Sequence, residues 1–158
     1  MARNRYRIAV LSFFALTLTA VLARADDPAA SLKLGNPEVK SAGPLAFGPD
    51  GILFVGDTRG AALLAIDTGD RAAATEKRAI EVKDLGTKVA GMLGTDPKQV
   101  MINDMAVNPL SGNVYLSLSR GRGPDASPLL VRISSDAKIE EVPLDKVRFA
   151  KAEHHIRR

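Results

Sequence analysis

The chain has no cysteine and no tryptophan, and only two histidines in 158 residues. Without thiols there are no disulfides, so the fold is held by packing alone. Zinc, haem and thiol chemistry are poorly supplied by such a composition. Neither a G-x-S-x-G, an H-E-x-x-H nor a P-loop sequence occurs. Asp and Glu are scattered along the chain, and no acid/base pair can be nominated from them. Acidic residues are missing altogether from the first 25 positions.

That acid-free stretch reads as a cleaved leader. Arg3, Arg5 and Arg7 precede an apolar run over residues 8–22, and Ala23-Arg24-Ala25 places small residues at the −3 and −1 positions. Charge, apolar core and small-x-small site in that order are what signal peptidase needs. The run is about 15 residues, shorter than the roughly 20 that span a bilayer. No cysteine follows it for lipid attachment, and the arginines are not paired as in a twin-arginine signal. The expected destination is the periplasm or the extracellular space, with no membrane attachment after cleavage.

The leader also carries the basic excess. It holds four of the 22 basic residues and no acid, which leaves 18 basic against 18 acidic residues. A formally neutral chain with no strong Lys/Arg cluster lacks the basic face that nucleic-acid binding requires. The 133 residues left after removal of the leader are enough for one ordinary core.

Residues 26–40 form a lead-in with a short strand candidate at 31–35. Strands are predicted at 45–47, 52–55 and 61–66, divided by turns at Gly48-Pro49-Asp50-Gly51 and Asp57-Thr58-Arg59-Gly60. Residues 79–82 are expected as a fourth strand. Leu85, Val89, Met92 and Leu93 share one helical face, with Gly94 as cap and Pro97 as stop, so a short helix is predicted there. A second series of strands is predicted at 100–107, 113–118, 129–133 and 138–142. Residues 144–158 begin a further element or form a frayed tail.

The two series superpose. Ala46-Phe47-x-Pro49 matches Ala106-Val107-x-Pro109 at an offset of 60, and Leu53-Phe54-Val55 matches Val114-Tyr115-Leu116 after one added residue. Repetition of this kind points to a radial architecture, with two similar hairpins in a β-sandwich as the other reading. The predicted fold is all-β, a partial β-propeller of about two to three four-stranded blades with one short inserted helix. Its units are a leader at 1–25, a lead-in at 26–40, blades at 41–83 and 100–143, a helical insert at 84–99, and the final segment 144–158. A propeller closes with about four to eight blades. The chain is therefore expected to be a truncated product, a piece that self-associates to close the ring, or an arc completed by another chain, with truncation favoured.

The phrases AFGPDGILFVGD (residues 46–57) and AVNPLSGNVYLSLS (residues 106–119) resemble blades of six-bladed secreted propellers of the NHL and gluconolactonase/regucalcin group. The likeness spans about residues 41–143. In the blade arrangement this resemblance implies, the start of the first strand and the loop between the second and third lie on one face. Asp57, Arg59, Asn103, Asp104, Arg120, Arg122 and Asp125 then share a surface at the channel mouth, which makes them the ligand-binding candidates. Arg120 and Arg122 are suited to clamp an anion, because guanidinium forks match carboxylate or phosphate; the same residues also suit an exposed glycine-rich hairpin loop. His154 and His155 are expected in solvent.

The segment around Asn103-Asp104 is similar to the N-D-G segment of the gluconolactonase group. The resemblance implies Asn103 as a divalent-metal ligand, with Ca²⁺ or Mg²⁺ suiting its oxygen. This chain has Met105 where the group has glycine, and Ala42-Gly43-Pro44 where it has a Glu-Gly-Pro phrase. Read locally, Asn103 and Asp104 instead fix a strand end or turn through bonds to the backbone. The leading expectation is a non-enzymatic exported segment with a binding or scaffold role and no resident cofactor. Its partner is then a small anionic ligand or a protein. The alternative is a metal-dependent lactonase or esterase.

Overall fold

Short, mostly apolar runs bounded by Pro, Gly and Asp turns form the strands. The computed structural model describes residues 28–74 and 79–154. The leader expected over residues 1–25 lies outside the described residues, as does His155. Nine strands occur among the described residues: β1 (Lys33–Gly35), β2 (Leu45–Phe47), β3 (Ile52–Asp57), β4 (Ala62–Asp67), β5 (Val100–Val107), β6 (Val114–Arg120), β7 (Ser127–Ile133), β8 (Ile139–Glu141) and β9 (Val147–Glu153). They build two antiparallel sheets, ordered β1-β9-β4-β3-β2 and β5-β6-β7-β8. The architecture is all-β and partial-propeller-like, with no closed barrel.

The turns follow their residues. Pro49–Gly51 makes a tight turn in which Asp50 and Gly51 are both left-handed, with φ of 54° and 74°. A side chain at Gly51 would also meet the Asp70 carbonyl oxygen at 2.9 Å. The helix α1 (Leu85–Met92) lies where its apolar spacing places it. Gly94 adopts φ 63°, Gly94 N–H donates to Gly91 O at 3.2 Å and Thr95 N–H to Ala90 O at 2.9 Å. These paired bonds satisfy carbonyls that the helix end leaves open.

One predicted strand does not form. Residues 79–82 are irregular, and Ile80 and Val82 pack against the core under α1. The place beside β4 belongs to β9, paired from Ala62↔Glu153 to Asp67↔Arg148. Phe149, at the Ile66 register, fills the inter-sheet core as neither Ile80 nor Val82 does. Residues 147–153 are thus no separate element; they return to the first sheet. β1 then pairs with β9, and the Lys33 ammonium lies 5.0 Å from the Phe149 ring centroid.

Three apolar layers hold the sheets. Between them, Leu53, Val55, Leu64, Ile66 and Phe149 of the first sheet meet Tyr115 and Leu130 of the second. Behind the second sheet, Val89 of α1 packs with Leu116, Leu118, Val131 and Ile133. Behind the first sheet, Ala29 and Leu32 cover Ile52 and part of Phe54. Each sheet is therefore covered on both faces over much of its area, as buried apolar surface requires.

Candidate functional site

The two innermost strands, β2 and β5, meet side by side, and β5 carries a bulge at their junction. Its register with β6 passes from Ile102↔Leu118 to Asp104↔Ser117, leaving Asn103 as the extra residue. Successive strand residues ordinarily point to opposite faces, and a bulge cancels that alternation. Asn103 and Asp104 consequently both reach the first sheet. Asn103 Nδ2 donates to Ala42 O at 2.7 Å and to Ser119 Oγ at 3.2 Å, while Asp104 Oδ2 accepts the Leu45 N–H at 2.8 Å. Ser117 Oγ adds a bond to Gly43 O at 2.6 Å. The backbone amides of Leu45 and Met105 hold the Asp104 carboxyl below the usual carboxylate range.

Above this junction lies a cleft of about 780 Å³. Lys40, Arg59, Asn103, Asp104 and Arg122 line it, together with the hydroxyls of Ser41, Thr58 and Ser119. Three cationic residues thus line the cleft with one acidic residue. Arg59 Nη2 donates to Pro124 O at 2.7 Å, tying the β3–β4 turn to the loop after β6. Arg122 Nε and Nη2 both donate to Lys98 O, at 3.0 and 2.7 Å. Each guanidinium keeps further N–H groups beyond these bonds.

Four of the seven candidate residues, Arg59, Asn103, Asp104 and Arg122, line this cleft. The other three do not. Asp57 is 1 % exposed and sits behind the wall, accepting Lys40 N–H at 2.8 Å, Ser41 N–H at 2.9 Å, Ser41 Oγ–H at 2.9 Å and Gly60 N–H at 2.8 Å. Burial raises its pKa, and these donors outweigh burial to leave it below the ordinary value. Asp57 is a loop knot: a side chain on Gly60 would stand 2.4 Å from its carboxylate oxygen. Arg120 ends β6 in solvent, and Asp125 is exposed in the 3₁₀ turn Gly123–Asp125. His154 is exposed as well.

The bonds of Asn103 and Asp104 are the side-chain-to-backbone kind expected locally, but they run between sheets instead of within a turn. No group of three or more His, Cys, Asp or Glu side chains able to hold a metal occurs among the described residues. Lys40 and Ser41 escaped sequence reasoning because nothing in their spacing marks them. They enter the site because Asp57 pins their backbone.

A second polar knot was not legible in the sequence. Asp70 Oδ2 accepts Ser111 Oγ–H at 2.7 Å, Asn113 Nδ2 at 2.9 Å and Tyr115 O–H at 3.1 Å, and Asp70 O accepts Asn108 Nδ2 at 2.7 Å. Burial raises the Asp70 pKa, and the donors from Ser111, Asn113, Tyr115 and Asn108 bring it below the ordinary value. The loop after β4 is thereby locked to the β5–β6 turn at the end of the sheets opposite the cleft.

No family model matches the chain, and no curated protein or solved structure matches it.

Proposed function

We propose that the chain is an exported binding module whose inter-sheet cleft holds a small anionic ligand, and that it serves as a ligand-holding or scaffold unit. The observation that carries this reading is the charge around the cleft: Lys40, Arg59 and Arg122 against Asp104 alone. A volume of about 780 Å³ suits a small molecule. The unused guanidinium N–H groups match carboxylate or phosphate oxygens, and the Lys40 ammonium adds a point charge. Exposed cations on the rim make binding sensitive to salt.

Titration calorimetry with citrate and with inorganic phosphate tests this reading. Binding is expected to weaken about tenfold in Lys40→Ala, the equivalent of one charge-assisted contact. Lys40 holds Asp57 through its backbone N–H, so losing the side chain leaves that knot intact. Heat signals absent for both anions, or unchanged in Lys40→Ala, would sink the proposal.

A further inference from the structure

The repeat allows the two sheets to be compared residue by residue. Leu53 pairs with Phe47 and Ile66 as Val114 pairs with Val107 and Ile133. Leu45 and Phe47 of the first sheet therefore correspond to Met105 and Val107 of the second. Phe54 and Leu63 correspond to Tyr115 and Leu130.

Within the chain, these positions meet. Leu45 and Phe47 pack in the inter-sheet core with Tyr115 and Leu130, both 1 % exposed. The Phe47 and Tyr115 rings meet edge-to-face with centroids 5.1 Å apart. The corresponding residues at the two outer faces are covered less: Phe54 packs in part against Ala29, Leu32 and Ile52, and the others are exposed. Met105 is 59 % exposed and Val107 53 %, with Ile102 beside them. On the far side of the molecule Leu63 is 50 % exposed and Phe54 is half-buried. The chain thus presents, on opposite sides of itself, part of each half of a contact that it already makes once internally.

We propose that a second copy of this chain docks head-to-tail, seating its Phe54 and Leu63 on Met105 and Val107 of the first. The helix α1 already covers Val114, Leu116, Val131 and Ile133, so on that face the contact is confined to β5. A contact of limited extent gives weak, concentration-dependent association. Two different faces meet, so the interface is heterologous, and copies add until a ring closes or a filament grows.

Sedimentation velocity on the purified chain over a concentration series tests this. The mass is expected to rise above one copy with concentration. Met105→Glu and Leu63→Arg each remove one face, and each variant alone is expected to stay at one copy. Their equimolar mixture retains one intact pair of faces and is expected to form a two-copy species and stop there. Both side chains are exposed, and far-UV circular dichroism checks the fold. If one variant fails to fold, Val107→Lys or Leu63→Lys replaces it on the same face. A wild-type mass of one copy up to the solubility limit overturns the proposal. So does association that persists in Met105→Glu, or a mixture that remains at one copy.

Discussion

The Asp104 carboxylate accepts the Leu45 amide at 2.8 Å across 59 residues of sequence, joining the innermost strands of two different sheets. An edge strand's outward N–H needs an acceptor, and here a side chain supplies it where a neighbouring strand would in a wider sheet. Removing that acceptor by Asp104→Ala is expected to speed hydrogen exchange at Leu45 relative to Val55. Equal protection in the variant and the parent would show the tie to be dispensable.

Asp70 is the buried centre of the second knot. Asp70→Ala strands donors from Ser111, Asn113 and Tyr115 around the vacated carboxylate. The expected cost is about 2–3 kcal/mol, on the order of 10 °C in melting temperature for a chain of this size. A thermal melt measures it directly, and a drop below about 2 °C contradicts the assignment.

Acid should unfold the protein through the same groups. Asp57 and Asp70 both titrate below the ordinary value of 3.8 when folded. Their contribution is fully present above that unfolded value and is lost as pH falls through the lower folded values. Melting temperature should therefore fall steeply below about pH 4, and more gently in Asp57→Asn and Asp70→Asn. An identical slope in parent and variants would place the acid sensitivity elsewhere.

Gly51→Ala tests the first turn. Its φ of 74° disfavours any side chain, and the new Cβ meets the Asp70 carbonyl at 2.9 Å. A loss of about 1–3 kcal/mol is expected in chemical denaturation. Gly69→Ala has a similar φ of 66° but nothing within 4 Å of the new Cβ, so it should cost less.

Arg59→Ala should loosen the loop at residues 121–126 without melting the sheets, because its bond to Pro124 O is exposed. Limited proteolysis is expected to cut near Gly123 faster at unchanged melting temperature. A parallel loss of global stability would mean that the loop is structural.

Local chemistry was legible in the sequence. The Pro49-Asp50-Gly51 turn, the face of α1 and its Gly94 cap all form where their residues place them. Of the seven residues that the blade arrangement puts on one face, Arg59, Asn103, Asp104 and Arg122 line the cleft, and Asp57, Arg120 and Asp125 do not. Long-range pairing was not legible. Nothing in Val147–Glu153 says that it will pair with β4, and residues 79–82 carry as good a local strand pattern. The choice between them depends on what Phe149 fills in the assembled core. The bulge at Asn103 was equally hidden, since one extra residue changes the direction of a side chain without changing the pattern around it.

The position of β9 also orders the events of folding. The second sheet is made of consecutive hairpins within residues 100–141, whereas the first is contributed by residues 33–67 and 147–153. Loop closure across such a span is slow compared with forming adjacent hairpins. The β4 edge therefore stays unpaired until Val147–Glu153 docks on it. In that interval any passing strand can claim the edge, and a chaperone that shields extended segments would have its greatest effect there.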